Sequence, residues 1–397
     1  MKFAQRMENL GTEKAFEVLA EVQKLKAQGR DIVSLGIGDP DFDTPPHIRS
    51  AAARSLERGR THYNPSAGIP ELREAAASYL THTRGVIYSP DEIVITPGAK
   101  PILFFSALAL VNPGDEVLYP NPGFPIYESV IRFVGARPVP MPLVESREFS
   151  IDLDRVMDSI NDRTKMIILN SPNNPTGGVM CRDDLRAVAE AAGRHNSWVL
   201  ADEVYGEFLF EGSHESIVQF DGMKERTILL DGHSKTFAMT GWRLGYAGMP
   251  APLAQKIGQL VTNSVSCTAT FIQDAGLVAL TGDWESVRSM IAEFKARRDL
   301  AWEALNETPG IACVKPRGAF YAWPNVTEAC RILGVKNSEE FQDMMISEGG
   351  VAVLSRSCFG PRNEGETDDY VRISFATSRE LLAEGIRRMR SLIEKHL

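Results

Sequence analysis

Within DGHSKTFAMTGWRLGY, residues 231–246, two cations stand eight positions apart in surroundings that otherwise read as core and turn: Lys235 and Arg243. Neither side chain is often buried without a partner. Lysine forms a Schiff base with a carbonyl once burial or a nearby cation lowers its pKa and frees the amine. Arginine's planar fork suits a phosphate. Two surface cations on a loop are the plainer explanation, and they lose ground as other polar residues gather at the same point.

Those residues follow a series of apolar runs. Asp202 ends SWVLAD (197–202) and is followed by Glu203-Val204-Tyr205. A buried, isolated carboxylate there is costly, and a protonated ring nitrogen would stabilise it; the competing explanation is an N-cap for a following helix. After EIVIT (92–96) comes PGAKP (97–101), where Gly98 lets the backbone approach a ligand and Pro101 suits the first turn of a helix. Free amides at such a start favour a phosphate, although an ordinary turn explains the same letters. After KMIILN (165–170) comes SPNNPTGG (171–178), in which Asn174 serves equally well as a turn former. A ligand with an aldehyde, a cationic ring nitrogen and a phosphate gives Lys235, Asp202 and Arg243 a partner each. Pyridoxal phosphate has all three.

The elements that must position these residues are legible in outline. EIVIT, EVLYP (116–120), KMIILN, SWVLAD and TILLDG (227–232) alternate with amphipathic stretches such as RDDLRAVAEAAGRHN (182–196). Continuous apolar strands between helices predict an α/β fold with a mainly parallel sheet covered on both faces, and ligands of such sheets bind beyond the carboxyl ends of the strands. The first 30 residues predict one helix, with Phe16, Leu19, Val22 and Leu25 on one face and a stop at Gly29. After about residue 285 a long charged helix, GAFYAWP, YVRISFAT and a final helix predict a smaller α+β domain. The expected division is a large domain over 46–285 and a small one from 1–45 plus 286–397.

Composition narrows the function. A chain of 397 residues with 43% hydrophobic and 24% charged residues is of ordinary globular type, and its net charge of −9 argues against nucleic acid as a partner. The five cysteines are scattered and form no CxxC, which predicts a reducing compartment and no metal site. The longest apolar run, ILFFSALALV (102–111), is half a membrane span, and MKFAQRMENLGTEK lacks the apolar core of a signal peptide. A cytoplasmic protein away from the membrane is expected. No GxxxxGK[ST] occurs, and GIGDPD (36–41) lacks the third glycine of a dinucleotide fingerprint.

Taken in order, LGIGDPDFDTP (35–45), YNPSAGIPELREA (63–75), PGAK (97–100), SPNNPTG (171–177), ADEVY (201–205), SKTFAMTGWRLGY (234–246), GAFYAWP (318–324) and VRISFATS (371–378) make the chain closely resemble the fold-type I pyridoxal-phosphate aminotransferases of the aspartate aminotransferase family. The resemblance implies a seven-stranded large domain and a transfer of amino groups between amino acids and 2-oxo acids by a ping-pong cycle. It implies that Lys235 holds pyridoxal 5'-phosphate and shuttles the substrate's α-proton, that Asp202 pairs with the pyridine nitrogen, and that Tyr205 and Asn174 bind the phenolic oxygen. Arg243, Ser234 and the backbone of Gly98, Ala99 and Lys100 would hold the phosphate, with Phe124 stacked on the ring. Arg372 would take the substrate's α-carboxylate, aided by Asn174 and Gly38. Tyr63 would reach the site of the neighbouring subunit, which implies a homodimer.

Lys100 is expected to meet an acidic substrate side chain, so aspartate or glutamate with 2-oxoglutarate is the favoured pair. Alanine, aromatic or broad-specificity transfer, a C–S β-lyase and an aminotransferase-like sensor domain of a DNA-binding regulator are the competing readings. Four positions depart from the family's pattern. Gly232 stands where many relatives carry a serine, Phe124 where aspartate-specific members often have tryptophan, and Gly11-Thr12-Glu13-Lys14-Ala15 where small hydroxyl residues often support the lysine. Ser355-Arg356 replaces a Pro-Gly pair, placing an extra cation in a loop that often borders the substrate.

Overall fold

A computed structural model describes residues 2–397. Thirteen strands are placed by name in chain order: β1 (Val33–Ser34), β2 (Ile93–Thr96), β3 (Glu116–Asn121), β4 (Arg137–Val144), β5 (Ser150–Ile151), β6 (Thr164–Asn170), β7 (Trp198–Asp202), β8 (Thr227–Gly232), β9 (Gly245–Gly248), β10 (Tyr321–Ala322), β11 (Val351–Ala352), β12 (Leu354–Ser355) and β13 (Val371–Ser374). Eight of them form one sheet in the order β2-β9-β8-β7-β6-β3-β4-β5. Neighbours from β8 across to β4 run parallel. Strand β9 is antiparallel to both β8 and β2, so β2 again runs parallel to β8 and its carboxyl end returns to the same edge. The eighth strand, beyond the expected seven, is the two-residue β5, antiparallel to the end of β4.

Side chains alternate between two buried faces, as a strand's period of two demands. Ile95, Ile167, Leu169, Val199, Ala201 and Leu229 face one apolar layer, while Val94, Met166, Ile168, Leu200, Ile228 and Leu230 face the other. The first layer is completed by helices Pro70–Arg84, Arg182–Arg194 and Thr270–Thr281, the second by Lys100–Leu110, Ile126–Phe133 and Ala251–Ser264. A sheet clad on both sides needs its ligands at its edge, where the loops are.

Strand β4 explains its own illegibility: RPVPMPLV carries three prolines, which normally demote a strand. The Arg137 amide donates to Asp115 on the β3 side, so every second residue from 137 faces β3 and Pro138, Pro140 and Pro142 turn their missing donors away from it.

A separate apolar core gathers Leu35, Phe294, Phe320, Val353, Val371, Phe375 and Ile386. Over it lie the antiparallel β10-β13-β12 and the parallel pair β1-β11, which joins residues 33–34 to 351–352. Helices Glu285–Asn306 and Arg379–Glu394 contribute to the same core. The N-terminal helix runs Lys14–Ala27 and stops before Gly29, whose φ of +88° suits glycine. Only Val22 on its expected apolar face is buried; Phe16 is exposed.

Candidate active site

Beyond the carboxyl ends of β6, β7 and β8 lies a cavity of about 600 Å³. It gathers Gly38, Ala99, Lys100, Phe124, Asn174, Asp202, Tyr205, Ser234, Lys235, Arg243 and Arg372 from segments up to 334 residues apart in the chain. Gly98 adjoins it under Arg243. Tyr63 is the one expected site residue placed elsewhere, on the surface and 89% exposed.

Asp202 and Glu203 diverge at the end of β7. Asp202 turns to the cavity, where the Tyr127 hydroxyl donates to its Oδ2 at 2.6 Å and the Val204 amide to its Oδ1 at 3.4 Å. Among the described residues no cation pairs with it, and burial pushes its carboxyl up to about 6, against the opposing pull of those two donors. The N-cap explanation fails, because residues 204–207 form a turn and not a helix. Glu203 points the other way, into a buried cluster with Arg84 (2.7 Å), His214 and Ser216.

Lys235 lies in the short helix His233–Thr236 that follows β8. Its Nζ donates to the Gly38 carbonyl at 2.7 Å. Burial lowers its pKa to about 8; Asp39 opposes that shift, and Arg372, Arg243 and Lys100 reinforce it. A useful fraction of free amine at neutral pH follows.

Arg243 has left-handed backbone (φ +56°), and its Nη1 donates to the Thr240 carbonyl at 2.7 Å. Its guanidinium lies against Gly98, where a Cβ would come within 2.3 Å of Nη2. Gly98, at φ +89°, is therefore favoured by conformation, and a Cβ there would push the Arg243 guanidinium aside. Helix Lys100–Leu110 starts there with Pro101 in its first turn, which leaves its leading amides beside the arginine.

Arg372, on β13, is buried between the rings of Tyr321 (4.4 Å) and Phe359 (4.7 Å). Nη1 donates to Asn174 Oδ1 at 2.7 Å and Nη2 to the Gly36 carbonyl, while Nε has no partner among the described residues. The Gly36 carbonyl thus holds Arg372, and the Gly38 carbonyl holds Lys235. Tyr205 shares a 2.7 Å hydrogen bond with Tyr321, and burial holds its phenol well above the ordinary range.

The structure bears on two of the expected cations. Arg356 does not border the cavity: it is buried on Glu366 (2.6 Å), Asn121 and the carbonyls of Gly360 and Pro361. Lys100 is not free, because its ammonium is paired with Glu13 and lies 5.2 Å from the Phe124 ring and 5.9 Å from that of Phe16. Gly232, where many relatives carry a serine, sits in a close strand contact. Gly232 faces Gly245 across β8 and β9, and a Cβ would stand 3.3 Å from the Gly245 Cα.

Sequence reasoning missed Tyr127, Tyr321 and Phe16 as site residues, and named Glu13 only within the 11–15 segment that departs from the family's support for Lys100. Tyr127 stands one helical turn from Phe124 in NPGFPIY, and Tyr321 lies inside GAFYAWP, so proximity to a motif was the available signal. Among the described residues no cluster of potential metal ligands occurs, and no helix is long and apolar enough to cross a membrane.

Comparison with known proteins agrees over the whole chain. The family model for aminotransferase class I and II matches residues 30–389. An aspartate aminotransferase of Pyrococcus abyssi and an aromatic-amino-acid aminotransferase of Thermococcus litoralis are each 41% identical to it, covering 95% of this chain and 96% of theirs. The crystal structure of the aspartate aminotransferase from Rhizobium meliloti superposes with a TM-score of 0.93 at 32% identity, covering 99% of both chains. An α/β sheet with a lysine, a carboxylate and two arginines at one edge, matched by relatives of this kind along its full length, belongs to an aminotransferase of class I and II.

Proposed function

We propose that the enzyme uses pyridoxal 5'-phosphate to transfer α-amino groups, with aspartate or glutamate and 2-oxoglutarate as its pair. The observation that carries the cofactor is Asp202: a buried carboxylate facing the cavity, with no cation paired to it among the described residues. A protonated pyridine nitrogen supplies that cation. The rest of the cavity fits as well. Arg243, Ser234 and the amides at Gly98, Ala99 and Lys100 would hold the phosphate, Phe124 would pack on the ring, and Asn174 with Tyr205 would bind the phenolic oxygen.

When bound, the cofactor serves as an electron sink for the charge left at the substrate's α-carbon. The chain's own residues do the remaining work. Arg372 binds the α-carboxylate with its two Nη atoms, giving up the Gly36 carbonyl and sharing Asn174. Lys235, freed from the Gly38 carbonyl, holds or releases a proton at Nζ, and its pKa of about 8 matches that duty near neutral pH. Tyr127 keeps Asp202 oriented and partly offsets the burial that favours its protonated form.

The surrounding assignments belong to the same proposal. The large domain spans 46–285, and the small one combines 1–45 with 286–397. Exposed Tyr63 reaches a neighbouring subunit's site in a homodimer, and the five free cysteines suit the cytoplasm. The test is an absorbance spectrum of protein loaded with pyridoxal phosphate: a visible band that shifts on adding an amino acid and is lost in Lys235→Ala. A loaded protein without that band refutes the reading. Equal turnover of aspartate, alanine and phenylalanine refutes the acidic pair alone.

A further inference from the structure

The acidic substrate reading meets an obstacle inside the cavity. The one lysine placed to meet a substrate's distal carboxylate, Lys100, already has a carboxylate, that of Glu13. Glu13 precedes helix Lys14–Ala27 and caps nothing: its side chain makes no bond to the helix's first amides. Its side chain is only 13% exposed and lines the cavity with Ala15 and Phe16, whereas that of Lys100 is 47% exposed. Glu13 therefore turns inward, to the same ammonium that a dicarboxylic substrate would use.

Resting on the pyridoxal phosphate aminotransferase reading, we infer that Glu13 is a specificity-determining residue, an internal competitor for Lys100 that an acidic substrate side chain must displace. A carboxylate entering beside the intact pair meets two negative charges for one positive. Displacing Glu13 sets it free without a cationic partner. Either course handicaps acidic substrates selectively. A neutral aromatic side chain requires no such exchange: it finds the Phe16 and Phe124 rings beside a charge already neutralised. The pair thus compresses the difference between acidic and apolar donors on one scaffold.

The size of the handicap follows from the pair's partial exposure. A partly exposed ion pair is worth at most about fivefold in an equilibrium.

The experiment compares loaded wild-type enzyme with Glu13→Gln, Lys100→Met and the double variant, measuring kcat and KM for aspartate and for phenylalanine and the Kd of maleate as an unreactive dicarboxylate. Glu13→Gln raises kcat/KM for aspartate relative to phenylalanine about two- to fivefold, mainly through KM, and tightens maleate by a similar factor. In the Lys100→Met background the Glu13 substitution no longer changes that ratio, because the contested ammonium is gone. An unchanged aspartate-to-phenylalanine ratio in Glu13→Gln overturns the inference. So does an equal change for both donors, or an effect that persists without Lys100. If no amino acid shifts the absorbance of the loaded wild-type enzyme, the aminotransferase mechanism itself has failed. A shift with both donors alongside an unchanged ratio fails Glu13 alone.

Discussion

The Tyr127 hydroxyl donates to Asp202 at 2.6 Å, and both groups are buried. This contact crosses from helix Ile126–Phe133 to the end of β7 and supplies a polar partner where the described residues offer no cation. Burial nevertheless dominates and raises the Asp202 carboxyl from 3.8 to about 6. Between those values the folded chain retains a proton that the unfolded chain releases, so the group costs the fold stability as pH rises through about 6. Cofactor-free Asp202→Asn protein is expected to exceed the wild type by up to about 3 kcal/mol above pH 7 and to match it near pH 4. Urea unfolding at the two pH values checks this; equal stability at both contradicts it.

Lys235 gives a second pH signature. Its amine titrates near 8, lowered first by burial, and Arg372 contributes to the lowering. The rate at which cofactor-free protein captures pyridoxal phosphate is expected to rise with pH through a midpoint near 8, and Arg372→Met is expected to move that midpoint upward. Stopped-flow absorbance reads both. A midpoint near the ordinary lysine value, unmoved by Arg372→Met, is the contrary result.

The phosphate cradle depends on Gly98. Gly98→Ala places a methyl within 2.3 Å of Arg243 Nη2 and also forces alanine into left-handed backbone, a strain of about 1–2 kcal/mol. Pyridoxal phosphate affinity is expected to fall at least about tenfold, one lost charge-assisted hydrogen bond being worth roughly 1.5–3 kcal/mol. Gly59→Ala, with positive φ but open space around it, shares only the strain and should keep wild-type affinity. Titration calorimetry of the two variants separates the terms.

Behind the active site, Arg84 bridges Glu203 at 2.7 Å and Asp231 at 3.3 Å, all three buried. Arg84→Met leaves Glu203 to His214 and Ser216. It also takes the cation from Asp231, whose carboxyl burial already pushes up to about 7, and is expected to cost about 3–5 kcal/mol of unfolding free energy. Burial acts upward on Glu203, but His214 and Arg84 overcome it and hold the carboxyl at about 2. Its stabilisation is therefore complete above about 4.5 and is lost as pH falls toward 2. Thermal melts of wild type and Arg84→Met from pH 7 down to 3 show whether the acid-sensitive component shrinks in the variant.

The parallel heart of the sheet was legible because β3, β6, β7 and β8 are continuous apolar runs, each ending in conspicuous polar residues. Proline hid β4, and glycine hid β9, whose GYAG has too few side chains to show a period. Lys235, Asp202 and Arg243 were legible because a buried charge demands a partner. Their protein partners were not, since Tyr127 and Tyr321 look like ordinary core aromatics until the fold turns their hydroxyls onto Asp202 and Tyr205. The resemblance put Glu13 in the segment beside Lys100, but a glutamate at a helix start usually faces water, so its ion pair with that lysine was not read from the sequence.

The tripeptide Gly36-Ile37-Gly38 offers one carbonyl to Arg372 and the next but one to Lys235. Two residues of chain span at most about 7 Å, so this backbone works as a ruler laid between the guanidinium and the amine. Its graduations are peptide units, whose length no side-chain substitution can alter. Point mutations along it can loosen one anchor at a time, but inserting or deleting a single residue moves both anchors out of scale together.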